Sequence, residues 1–248
     1  MRLILPLALF IALFIAHSTT SHAGLTPGFA GSLSALPGLG QTVEGRPVEG
    51  VTWFASVVGA LFHPNPQVKQ IGFDLWMYNM YDAYRDAGPT LKANHNLLEN
   101  YAAFANPLNL VDPIGAPVVG YAAVGGAKNQ YPALRSPATV LTYGFVGLGE
   151  EALFRGFLFP SFSQIFSSRS VGAITSSAVF SLSHATGGAS ELQASPIIQR
   201  FIGGLIFCWQ VDRNRYDLRK NIFAHAWYDV LIDQGGQIRG AQLKLPLP

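Results

Sequence analysis

Residues 149–156 read GEEALFRG, with ATVLTYGFVGL before them and FLF after. Two carboxylates and a guanidinium thus interrupt an apolar run, Ala138 to Phe159, that otherwise has the length and character of a helix in lipid. A charged residue at the middle of such a helix costs about 2.5 to 3.5 kcal/mol on insertion, so three in one run require partners. Glu151 and Arg155 stand four residues apart, hence on one helical face, with the acid N-terminal in the favourable order. Glu150 is turned by about 100° from Glu151 and faces something else.

The rest of the second half supplies candidates. Apolar periodicity predicts helices at about 138–160, 171–186, 197–211 and 221–235. In AITSSAVFSLSHA, His184 ends an apolar stretch and Phe180 lies one turn earlier on the same face. In NIFAHAWYDVL, His225 and Asp229 are four apart and project together. A lone histidine on an apolar face reads as a satisfied core residue. Three polar-bearing helices in succession shift the reading, because ionisable groups inside a membrane mark functional sites.

Glu150, Glu151 and Arg155 form an EExxxR motif continued by FRG, Phe180 and His184 an FxxxH motif, and His225 with Asp229 an HxxxD motif. In this order the chain resembles the CPBP family of membrane proteases, which includes the CAAX prenyl endoproteases and bacteriocin-processing or immunity proteins. The resemblance spans residues 138–235 and implies an all-α fold, a polytopic helical membrane bundle with a polar cavity. It also implies an intramembrane endopeptidase that hydrolyses a peptide bond of a membrane-associated peptide or protein. On that likeness Glu150 activates the attacking water with help from His184, and His225 with Asp229 forms the oxyanion site. Glu151, Arg155 and Phe180 support the motif helix. Burial among Phe and Leu side chains is expected to disfavour a charged Glu150.

Family members often carry Asn where this chain has Asp229. An ionised Asp would repel an oxyanion, so Asp229 is either protonated or, the preferred expectation, accepts a hydrogen bond from His225 and fixes that ring. No cofactor is expected. The nearest alternative is a zinc-dependent peptidase, with Glu150, His184 and His225 as three ligands, although no HExxH helix is present. A further alternative is a non-catalytic immunity or scaffold protein that keeps a buried Glu and Arg pair to specify helix packing.

Composition agrees with a membrane setting. Charged residues make up 12% against about 25% in soluble domains, hydrophobic residues 49%, and there are 17 Phe. A net charge of +2 without a basic stripe interleaved with aromatics argues against a nucleic-acid partner, whereas the family resemblance implies membrane lipid and a peptide or protein substrate as partners. The single cysteine, Cys208, excludes an internal disulfide and sits in GGLIFCWQV as a buried, inert thiol.

Arg2, the apolar LILPLALFIALFIA and the polar HSTTSHA have the layout of a secretory signal peptide, residues 1–23, cleaved after Ala23. Residues 24–50 read as a Gly/Pro-rich linker and 51–137 as an N-terminal helical region, with a short apolar segment at 51–62 and a helix at 67–87. His95 reads as a solvated surface histidine. Residues 138–235 are the protease-like core and 236–248 a C-terminal tail. Arg213, Arg215, Arg219 and Lys220 place the turn that carries them on the cytoplasmic side, with the loop at 167–169 beside it. The expected location is a membrane, crossed several times, of the bacterial inner type.

Overall fold

The computed structural model describes residues 26–88, 96–128, 136–184 and 194–232. The signal-peptide segment, His95 and the C-terminal tail lie outside them. Among the described residues the regular structure is entirely helical. The elements are α1 (Pro27–Leu33), α2 (Leu39–Val43), α3 (Pro47–Leu61), α4 (Pro66–Ala87), α5 (Leu97–Ala102) and two short 3-10 turns (Ala103–Ala105, Pro107–Leu110). They continue with α6 (Gly115–Lys128), α7 (Pro137–Glu151), a π-helical segment (Ala152–Leu158), α8 (Phe159–Ile165), α9 (Arg169–Ser183), α10 (Ala194–Arg213) and α11 (Arg219–Ile232).

Starts and stops are written locally. The Ser136 hydroxyl accepts from the Thr139 N–H ahead of Pro137 at the first turn of α7, and Asn65 caps α4 in the same way before Pro66. Ser168 caps α9 by accepting from the Val171 N–H. The α8–α9 and α10–α11 turns are tight, with Ser167, Arg215 and Tyr216 in the left-handed region despite their side chains.

Among the described residues no helix is long and apolar enough to cross a membrane. The reason lies in the sequence itself. α9 has 15 residues and α11 has 14, short of the roughly 20 a span needs, while α4 and α10, with 22 and 20, are long enough but not apolar enough. The longer rod from Pro137 to Ile165 carries Glu150, Glu151 and Arg155 at its centre and is divided there by the π segment.

Residues 24–50 also differ from the linker expected of them. α1, α2 and the start of α3 occupy this stretch, and α1 packs on α4. Gln41 is fully buried and bonds the Asn79 carbonyl and Asp82, while the Gly38 N–H donates to Asn79. Glycine here serves contact rather than flexibility, which is why a reading by composition alone takes it for loop.

α4 lies along α7 and the π segment, while α11 packs on α6 and α7 and α9 on α8 and α10. Tyr78, Tyr81, Phe157, Leu148 and Ile222 sit in the shared core. At Gly149 the α4 backbone approaches so closely that a Cβ would lie 2.6 Å from the Asp74 carbonyl oxygen. This contact sets the height of the next residue, Glu150.

Candidate active site

The motif helix changes its winding directly after the two glutamates. Through Ala152–Leu158 it is π-helical, and the Phe159 N–H reaches back five residues to the Phe154 carbonyl. That carbonyl also accepts a 2.6 Å bond from the hydroxyl of Ser176, a fully buried α9 residue. A π turn within an α-helix is rare and concentrates at functional sites.

Three helices converge on Glu150. Its two carboxylate oxygens face two imidazoles: Oε1 lies 3.5 Å from His184 Nε2 and Oε2 lies 3.4 Å from His225 Nε2. Both rings are held from behind through Nδ1. That of His184 lies 2.8 Å from the Phe180 carbonyl oxygen, which can only accept, so Nδ1 carries the hydrogen. That of His225 lies 2.6 Å from Glu151 Oε1, to which it donates. Both Nε2 atoms are therefore the positions where a proton can arrive or leave.

Glu151 does more than pair with Arg155. It is fully buried, lies 3.1 Å from Arg155 Nη1, takes the His225 bond and accepts from Asn221 Nδ2 at 3.2 Å. Arg155 is equally buried, its guanidinium 4.3 Å from the Phe180 ring centroid and 5.3 Å from that of Phe207. Phe180 thus stacks against the cation and lends its carbonyl to His184. Phe207 also stacks on the His225 ring at 5.6 Å.

The expectation for Asp229 needs correcting. It was expected to fix the His225 ring, yet the carboxylate that does so is Glu151. Asp229 Oδ2 is 3.7 Å from His225 Nε2, the same nitrogen that faces Glu150. It is the more exposed of the site's acids, its side chain 25% accessible against 8% for Glu150. The expectation for Glu150 counted burial alone. Two imidazole nitrogens also stand at its oxygens.

Four contributors were missed. Asn221 precedes His225 by one helical turn, so the pattern NxxxHxxxD would have shown it. Ser176 and Phe207 lie on apolar faces with nothing local to mark them. Asp74 belongs to α4 and is fully buried behind Gly149, within electrostatic reach of Glu150, His225 and Asp229. Its Oδ1 accepts from Gln70, while its Oδ2 is buried without a partner. Cys208 is buried beside the Ser177 hydroxyl, away from these groups.

Residues 132–231 match the family described as Type II CAAX prenyl endopeptidase Rce1-like. Over that stretch the chain is similar to the CAAX proteases. The match covers less than half of the chain and includes all three motif helices, while α1 to α6 lie outside it. No curated protein and no solved structure matches the chain.

Within the matched stretch a buried carboxylate faces two imidazoles directly. Among the described residues, the acidic or imidazole group whose ligand atoms gather within 4.8 Å is Glu49, Asp82 and Asp86, in α3 and α4, rather than the three residues around Glu150. The cavities of about 560 and 380 Å³ are lined by residues other than Glu150, His184 and His225.

Proposed function

We propose that the chain is a membrane-embedded endopeptidase in which Glu150 activates water against a peptide carbonyl of a membrane-associated substrate. Glu150 takes a proton from water as the oxygen attacks the carbonyl carbon. The resulting oxyanion accepts a hydrogen bond from His225 Nε2–H, a ring for which Glu150, Glu151 and Asp229 supply the counter-charge an imidazolium needs. His184, on the other carboxylate oxygen, passes a proton to the departing amine as the C–N bond breaks. Glu151 orients His225, and Arg155 balances Glu151.

The observation that carries this reading is one buried carboxylate with an imidazole Nε2 at each of its oxygens, both rings fixed through Nδ1, drawn from three helices of the CAAX protease-like region. A scaffold that used the charges only for packing would pair them tightly rather than leave Glu150 Oε2 unbonded. Membrane placement is supported by the outer surface, where Phe54, Leu141, Ile174, Leu182, Ile202 and Trp209 are all exposed. The apolar N-terminal segment suits delivery to a bacterial inner membrane.

The test compares the N-termini present in membranes of cells that make the wild-type protein with those that make Glu150→Gln. New N-termini found only with the wild type, while the variant accumulates folded in the membrane, are the expected result. Identical N-termini would sink the proposal. The zinc alternative predicts instead that chelation abolishes cleavage and that metal co-purifies in stoichiometric amount.

A further inference from the structure

The basic turn expected to face the cytoplasm is not merely a topological signal. It joins the α8–α9 turn to enclose a cavity of about 560 Å³, far from Glu150. Arg169, Ser167 and Gln164 come from one side and Arg215 and Asp212 from the other, with Tyr84 of α4 also in the lining. Arg169 pairs with Asp212 at 3.3 Å and cancels it. The Arg215 guanidinium makes no ion pair among the described residues, so the cavity keeps one uncompensated positive charge. A phosphodiester carries one negative charge and several acceptor oxygens, which matches both that charge and the hydroxyl and amide donors beside it.

The surface that leaves the cavity is apolar. α9 begins at Arg169 and exposes Val171, Ile174 and Leu182 along its length, and Phe166 is exposed just before it. α10 ends at Arg213 and exposes Trp209, Ile202 and Ile198 on its way back. A free phosphate would use only the cavity. A lipid would use the cavity for its headgroup and the exposed aliphatic and indole side chains for its chains, with Trp209 at interfacial depth.

We propose that this cavity, between the α8–α9 and α10–α11 turns, is a headgroup site for an anionic phospholipid, held by Arg215 and Arg169 with an acyl chain along the exposed face of α9. Basic pockets between helices on the cytoplasmic side are built for such headgroups. The site needs the membrane placement proposed above but not the peptidase chemistry, and none of its residues belongs to the Glu150 cluster.

The test uses the full chain in detergent micelles, titrated with phosphatidylglycerol, phosphatidylcholine or inorganic phosphate, with lipid retention counted by native mass spectrometry. The wild type is expected to retain one phosphatidylglycerol roughly fivefold more tightly than phosphatidylcholine, as one uncompensated cation near a headgroup predicts, and inorganic phosphate should not displace it. The R169A/R215A double variant should lose that preference while melting at the wild-type temperature. Arg215→Ala alone, an exposed residue, should lose most of it and guards against a folding defect in the pair. Equal retention of both lipids by the wild type, or an unchanged preference in the variants, overturns the site. Displacement by inorganic phosphate overturns the lipid as occupant in favour of a free anion. A chain that partitions into no vesicle, zwitterionic or anionic, overturns the membrane placement instead.

Discussion

Among the described residues two charge clusters, one partly exposed and one buried, are built differently. In the N-terminal half, Arg46 pairs with Glu44 at 2.6 Å and with Glu49 and Asp86 at 2.7 Å, and Arg85 pairs with Asp82 and Asp86 at 2.7 Å. Gln41 and Trp53 add donors to Asp82, so little is left unbonded beyond one oxygen of Glu44. Around Glu150 the contacts lengthen to 3.4 and 3.5 Å, Oε2 is unbonded, and the nitrogens of Arg155 face rings and Glu151 without hydrogen-bond geometry. Short, closed pairing holds helices together. Looser pairing around a carboxylate leaves part of its hydrogen-bonding capacity unused and forfeits stability to do so. The three acids of the first cluster are the group gathered closely enough for a metal, yet two arginines already occupy them.

The sharpest way to break this contrast is to remove a partner from each side. Glu151→Ala strands Arg155, and should destabilise by about 3 to 5 kcal/mol and abolish cleavage together, read by denaturant unfolding and product release. Arg85→Met strands Asp82 and should cost about 3 kcal/mol or more, but cleavage per folded molecule should stay at the wild-type rate. If Arg85→Met changed that rate, the two clusters would not be separable.

Smaller changes sharpen it. Gly149→Ala pushes a methyl group against the Asp74 backbone and should cost about 1 to 3 kcal/mol, whereas Gly59→Ala, with nothing within 4 Å, should be neutral or stabilise the exposed α3 by up to about 1 kcal/mol. Thermal unfolding separates the two. Ser176→Ala unbonds the Phe154 carbonyl and should cost about 0.5 to 1.5 kcal/mol, with a modest loss of cleavage as the π segment loosens. Asp229→Asn should keep or raise the rate, because the residue lies beside the His225 nitrogen that meets the oxyanion and does not hold the ring. An abolished rate would give Asp229 a charged role.

Much of the site was legible because helical spacing is a geometric statement. Residues 150, 151, 155, 180, 184, 225 and 229 could be placed on faces from the sequence, and the structure brings them together. What escaped depends on partners distant in sequence. The π segment is sustained by a Ser176 bond across 22 positions, and Glu151 rather than Asp229 meets His225 across 74. Asp74 is invisible as a site neighbour until Gly149 brings α4 against it. Residues 27–43 escaped for another reason. Their glycines read as flexible, and the packing that makes them helical comes from α4.

The central claim is that Glu150 is the reacting carboxylate while its neighbour Glu151 holds the frame. The most direct measurement is the rate at which the Glu150→Gln protein cleaves, per cooperatively folded molecule, the peptides identified from wild-type membranes. A fall of at least about a hundredfold with unfolding unchanged is predicted. Cleavage at the wild-type rate would contradict the account.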